Sequence, residues 1–84
     1  MQDKTNAKYI EADEKFEKAE SAIRIKDFHQ AKVLLKEVIE INPHFVYAYI
    51  LLARVFWKTG SAESAKKTIE KCISIDRSFG YSYY

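Results

Sequence analysis

The sequence predicts an all-α protein built of antiparallel helical hairpins repeated along the chain. Three observations carry that expectation. Apolar residues recur at three- and four-residue steps, the signature of a helix with one buried face. Two Gly and one Pro leave little room for hairpin turns or long loops, while Lys, Glu, Ala and Ile favour helix. The chain also matches itself at an offset of 34 residues.

The first helix is predicted from about Asn6 to near Ile25, after a polar, frayed start at residues 1–5. Tyr9, Ala12, Phe16, Ala19, Ala22 and Ile23 form its apolar stripe, with Lys and Glu on the other faces. Lys26-Asp27 breaks it, and Asp27 followed by Gln30 has the spacing of a capping box. The second helix carries Phe28, Ala31, Leu34, Leu35, Val38 and Ile41 on one stripe. It stops at Asn42-Pro43, because a residue before proline is pushed out of helical geometry.

The third helix is predicted to open on Asn42-Pro43, with Asn42 as cap and Pro43 at the first helical position, and to close on Gly60. From Val46 to Trp57 every residue but Arg54 is apolar, so this helix must be covered on several sides or offered to a partner. Ser61 is placed to cap a fourth helix carrying Ala65, Ile69, Cys72, Ile73 and Ile75. Asp76 resembles a further cap, and Ser78 to Tyr84 reads as the start of a fifth helix.

At the 34-residue offset the identical pairs are Ala19/Ala53, Ala31/Ala65, Lys32/Lys66, Ile39/Ile73, Ile41/Ile75, Phe45/Phe79, Tyr47/Tyr81 and Tyr49/Tyr83. Leu35/Ile69, Val38/Cys72, Asp27/Ser61 and Asn42/Asp76 are similar. Each unit is helix, short turn, helix, and this resembles the tetratricopeptide repeat family. The second unit supplies Tyr49, Leu52, Ala53, Phe56, Gly60, Ala65, Ile69 and Cys72 at the family's positions, with Arg77 where a closing proline is usual. The first unit is looser, with Lys15, Lys18 and Ala22 at usually larger apolar places. The resemblance implies repeats at about 12–45 and 46–79, a partial third or capping helix at 78–84, and stacking into a short right-handed superhelix within a single domain. Small residues at Ala19, Ala31, Ala53 and Ala65 would let paired helices approach to about 8 Å.

Composition limits function. Net charge is +2, distributed as eight basic and nine acidic side chains in residues 1–42 and six basic and three acidic in 43–84, so no nucleic-acid footprint is present. Cys72 is alone and has no disulfide partner within the sequence, which suits a reducing compartment. Met1 to Glu11 has no apolar core of a secretory signal, and the longest apolar run, Val46 to Ala53, is eight residues against the roughly twenty of a membrane span. The expectation is a cytoplasmic chain without membrane insertion. His29 and His44 have no acid or cysteine at ligand or triad spacing, and glycine-rich phosphate loops, HExxH and CxxC motifs are missing. No catalytic residue, cofactor or metal is expected.

The resemblance implies that the first helix of each hairpin lines a partner groove. By register that surface takes Asp13, Phe16, Glu20, Ile23 and Arg24, then Tyr47, Ile50, Arg54, Trp57 and Lys58, then Tyr81 and Tyr84. Its aromatic and basic character suits an apolar or amphipathic protein or peptide partner with an acidic group. The expected function is a protein-interaction scaffold. The alternative is a self-assembly module, forming homo-oligomers by end-to-end or helix-exchanged packing through the tyrosine-rich residues 78–84.

Overall fold

The computed structural model describes residues 4–75, with side chains from Tyr9 onward. Four helices follow one another: α1 Lys4–Arg24, α2 Phe28–Ile41, α3 Val46–Lys58 and α4 Ala62–Ile75. Helix α1 begins at Lys4, two residues before the sequence expectation, so residues 4 and 5 are helical rather than frayed. In chain order each helix packs on the next, α1 on α2, α2 on α3 and α3 on α4. The chain is thus two hairpins, α1/α2 and α3/α4, joined through α2 and α3.

The two hairpin turns share one hydrogen-bonding pattern, as the repeat demands. After α1 the amide of Asp27 donates to the Ala22 carbonyl at 2.8 Å, and Lys26 donates to Ile23 at 2.9 Å. After α3 the amide of Ser61 donates to Phe56 at 2.8 Å, and Gly60 donates to Trp57 at 3.2 Å. Both are Schellman stops, which need a left-handed residue just past the helix. Gly60 fills that place at φ 85°, Lys26 at φ 66°. Asp27 then caps α2, its carboxylate accepting from the Gln30 amide at 3.3 Å.

The join between hairpins differs from the sequence reading. Helix α3 starts at Val46, and Asn42 ends α2 instead of opening α3. The Asn42 amide donates to the Val38 carbonyl at 2.8 Å, and its side-chain oxygen accepts from the His44 amide at 3.2 Å. Phe45 closes the turn by donating to the Asn42 carbonyl at 3.0 Å. The Pro43 carbonyl accepts from the Tyr49 hydroxyl at 2.7 Å, so this turn is fastened to the first turn and a half of α3. The groups that would have capped a helix at Asn42 are used in the turn.

The core runs through the first three helices. Ala12, Ala19 and Ala22 of α1, Ala31, Leu34, Leu35 and Val38 of α2, and Ala48, Leu52 and Val55 of α3 form one buried cluster. The alanines that α1 and α2 contribute to this cluster are small side chains of the kind that suit a close approach of helices. Aromatic contacts fasten the second hairpin to the first. The Phe16 and Phe45 rings stack with centroids 4.8 Å apart, and the Lys32 and Lys36 ammonium groups lie 5.8 and 5.9 Å from the centre of the Phe56 ring. Within the second hairpin Tyr49, Ala53, Ala65 and Cys72 are buried. Burial is the main cause that pushes the Tyr49 phenol above its ordinary value of 10.0, with the Cys72 thiol a lesser one.

Candidate functional site

A groove of about 540 Å³ runs along the free side of the second hairpin. Helix α3 lines it with Ile50, Ala53, Arg54 and Trp57; helix α4 adds Ala62, Ala65, Lys66, Ile69, Glu70 and Ile73. The spacing explains the α3 wall. Ile50, Arg54 and Trp57 lie at four- and three-residue steps, on one helical face. The α4 wall follows the same rule, with Ala62, Ala65 and Ile69, then Ile73. The groove floor is aliphatic, and the charges Arg54, Lys66 and Glu70 are all exposed.

The repeat shows what kind of surface this is. Subtracting 34 from the groove residues gives Phe16, Ala19, Glu20, Ile23, Phe28, Ala31, Lys32, Leu35, Lys36 and Ile39. In the first hairpin that face is covered by the second. Leu35 is buried where its counterpart Ile69 is half-buried, and Ala19 and Ala31 are 0% exposed against 5% and 7% for Ala53 and Ala65. Ile23 and Phe28 are half-buried and pack against the core, whereas Trp57 is 69% exposed and Ala62 is exposed. The α3/α4 groove therefore has the composition of a helix-stacking face.

The residues expected from sequence divide accordingly. Ile50, Arg54 and Trp57 come together in the groove. Tyr47, 62% exposed, and Lys58, also exposed, are on α3 outside the groove lining. Phe16 and Ile23 are half-buried and packed on the core, Phe16 beneath Phe45, so their side chains are spent on joining the hairpins. Tyr81 and Tyr84 lie outside the described residues. The α4 wall was not anticipated as a site. Ile69 and Ile73 stand in the sequence only as part of the apolar stripe of the fourth helix; the signal that could have found them is their 34-residue match to Leu35 and Ile39, which lie on the face of the first hairpin that α3 covers.

Among the described residues no group of three or more His, Cys, Asp and Glu side chains gathers to hold a metal. No described helix is long and apolar enough to cross a membrane.

Two equivalent helical hairpins, with matching turns and an open stacking face, define an all-α helical-hairpin repeat protein. A tetratricopeptide repeat family model matches residues 12–78, and the chain belongs to that family. Comparison with curated proteins returns no match, and comparison with solved structures returns none. Tetratricopeptide repeats generally mediate protein–protein interaction, and the family is typically non-enzymatic.

Proposed function

We propose that this chain is a non-catalytic interaction scaffold that seats a helix or peptide of a partner protein in the α3/α4 groove. The observation that carries this is the exposure of Trp57 beside the aliphatic strip Ile50, Ala53, Ile69 and Ile73. Covering the exposed part of that indole hides on the order of 150 Å² of largely apolar surface, roughly 3–4 kcal/mol before the costs of association. Arg54 and Lys66 outnumber Glu70 along the lining, which favours a partner with a carboxylate placed to meet them. The partner chemistry that fits is an amphipathic segment with small and aliphatic residues inward and an acidic group at its edge.

The test is partner capture from the source cell with the native chain and with the double variant Trp57→Ala, Arg54→Ala. A buried Trp at an interface commonly contributes at least ~2 kcal/mol, roughly 30-fold in Kd. The expected result is loss of the specifically captured protein with helical circular dichroism unchanged. Equal capture by the double variant contradicts the groove assignment.

A further inference from the structure

We infer that the chain has a second binding surface, a trough between α2 and α4 over another face of α3. It takes an acidic peptide segment with an apolar side chain among its carboxylates. The trough shares no lining residue with the α3/α4 groove, so it stands independently of that reading.

Helices α2 and α4 both pack on α3, and the space between them is hollow. One hollow, of about 260 Å³, is floored by Leu52 and Phe56, with Lys36 on the α2 wall and Thr68 and Lys71 on the α4 wall. A second, of about 530 Å³, also has Lys36 and Lys71 in its lining, and Tyr49 and Ile39 are common to both. Glu40 is the one carboxylate among the described residues that line either hollow. Lys36 and Lys71 are exposed, whereas Ile39, Phe56 and Thr68 are half-buried. The result is an apolar floor between two cationic walls.

The repeat does not require this charge. Lys32 and Lys36 lie one turn apart, their ammonium groups 5.8 and 5.9 Å from the centre of a single ring, Phe56. Like charges at this spacing repel. At the 34-residue offset the pair becomes Lys66 and Glu70, opposite in sign. Lys71 corresponds to Glu37, which pairs with Lys15 at 3.0 Å. The counterpart of Lys15 is Tyr49. The place that holds an ion pair in the first hairpin therefore holds a lysine and a phenol in the second. Among the described residues no carboxylate lies within ion-pairing distance of Lys32, Lys36 or Lys71. A ligand carboxylate would relieve that repulsion and gain charge-assisted hydrogen bonds.

Charge alone would also suit a nucleic acid, and the floor decides between the two. Two ammonium groups already cover the half-buried Phe56, and Tyr49 is 2% exposed, so neither ring is free for a base to stack on. An aliphatic or aromatic side chain fits the floor of Leu52, Phe56 and Ile39, while carboxylates beside it meet Lys36 and Lys71.

The test titrates the native 84-residue chain with a peptide of four glutamates around a central phenylalanine. Binding is followed by anisotropy of a dye-labelled form and by methyl NMR with the unlabelled one. Expected are saturable binding and shifts centred on the methyl groups of Ile39, Leu52 and Thr68, with Ile69 and Ile73 little changed. The double variant Lys36→Ala, Lys71→Ala should bind about tenfold or more weakly with helical circular dichroism kept. Serine in place of the phenylalanine should also weaken binding. Trp57→Ala should bind as the native chain does, which separates this surface from partner capture in the groove. Absence of binding, methyl shifts in the groove instead of the trough, or undiminished binding by the double variant overturns the inference. A serine peptide that binds equally well also overturns it, by reducing the contact to diffuse charge. A single-stranded oligonucleotide of equal charge that binds the trough more tightly than the peptide overturns it in favour of nucleic acid.

Discussion

Ala19 and Ala53 are the same repeat position in two environments, and substituting leucine at each separates a covered face from an open one. Ala19 is fully buried in the cluster shared by α1, α2 and α3. An isopropyl group there has to displace the buried neighbours around a fully covered position, and overpacking of this kind costs ~1–3 kcal/mol. Ala53 is 5% exposed and lines the open groove. A leucine at 53 can extend along the Ile69 side of the groove, trading overpacking for partial apolar cover. With about 2 kcal/mol lost at position 19, the melting temperature of a chain this size should fall by roughly 8–16 °C. The loss at position 53 should be less than half of that. Thermal unfolding followed by circular dichroism measures both. Equal losses would refute the claim that the groove is an open counterpart of a covered face, and no loss at Ala19→Leu would refute the full burial of that position.

The remaining predictions concern the turns and the buried tyrosine. Lys26 holds a left-handed conformation that costs an L-residue roughly 1–2 kcal/mol, so Lys26→Gly should stabilise by about 0.5–1 kcal/mol after the added unfolded-state entropy of glycine. Gly60→Ala should destabilise by about 1 kcal/mol through φ alone, because a Cβ there meets nothing within 4 Å; urea midpoints of the two variants should move in opposite directions. Tyr49 has its phenol pKa raised by burial, so the native state favours the protonated form. That contribution is complete below the unfolded value of about 10 and is lost as pH climbs through the folded value. The native chain should therefore lose stability more steeply above pH ~10 than Tyr49→Phe does. Matching slopes would show that the hydroxyl bonded to the Pro43 carbonyl is not buried in solution.

The four helices and both hairpin turns were legible in the sequence, because periodicity, Asp27 with Gln30, and Gly60 with Ser61 all point the same way. Asn42-Pro43 was ambiguous for a physical reason. The pair satisfies both a helix end and a helix start, and only the competition for its hydrogen bonds decides. The Asn42 amide donates to Val38 and its side-chain oxygen accepts from the His44 amide, while the Pro43 carbonyl accepts from the Tyr49 hydroxyl, so α3 begins later. Lys26 in a left-handed turn was likewise visible only as a break, since nothing in a lysine announces φ above zero.

The candidate groove was legible on one wall. Register along α3 puts Ile50, Arg54 and Trp57 on one helix face, a local property, and the three line one groove. It also grouped Phe16 and Ile23 with them, because register within a repeat is the same whether or not the next repeat covers it. Whether a stacking face is covered is a tertiary property: the second hairpin covers that face of the first, and Ile69 and Ile73 of α4 line its counterpart. Glu11, Glu14, Lys18 and Ser21, the polar counterparts of Phe45, Ala48, Leu52 and Val55, carry the complementary information: the first hairpin presents a solvated face where the second presents an apolar one.

The central claim is that the α3/α4 groove seats a helix, and α3 itself supplies the probe, since it already covers the equivalent face of the first hairpin. A synthetic peptide of residues 43–58, with phenylalanine in place of Trp57, can be titrated into the native chain while the emission of Trp57, its single tryptophan, is followed. The account predicts a saturable blue shift as the exposed indole is covered, and loss of that binding in Ile69→Asp with helical content kept. Emission that stays unshifted under the peptide, or a shift that survives Ile69→Asp, would contradict it.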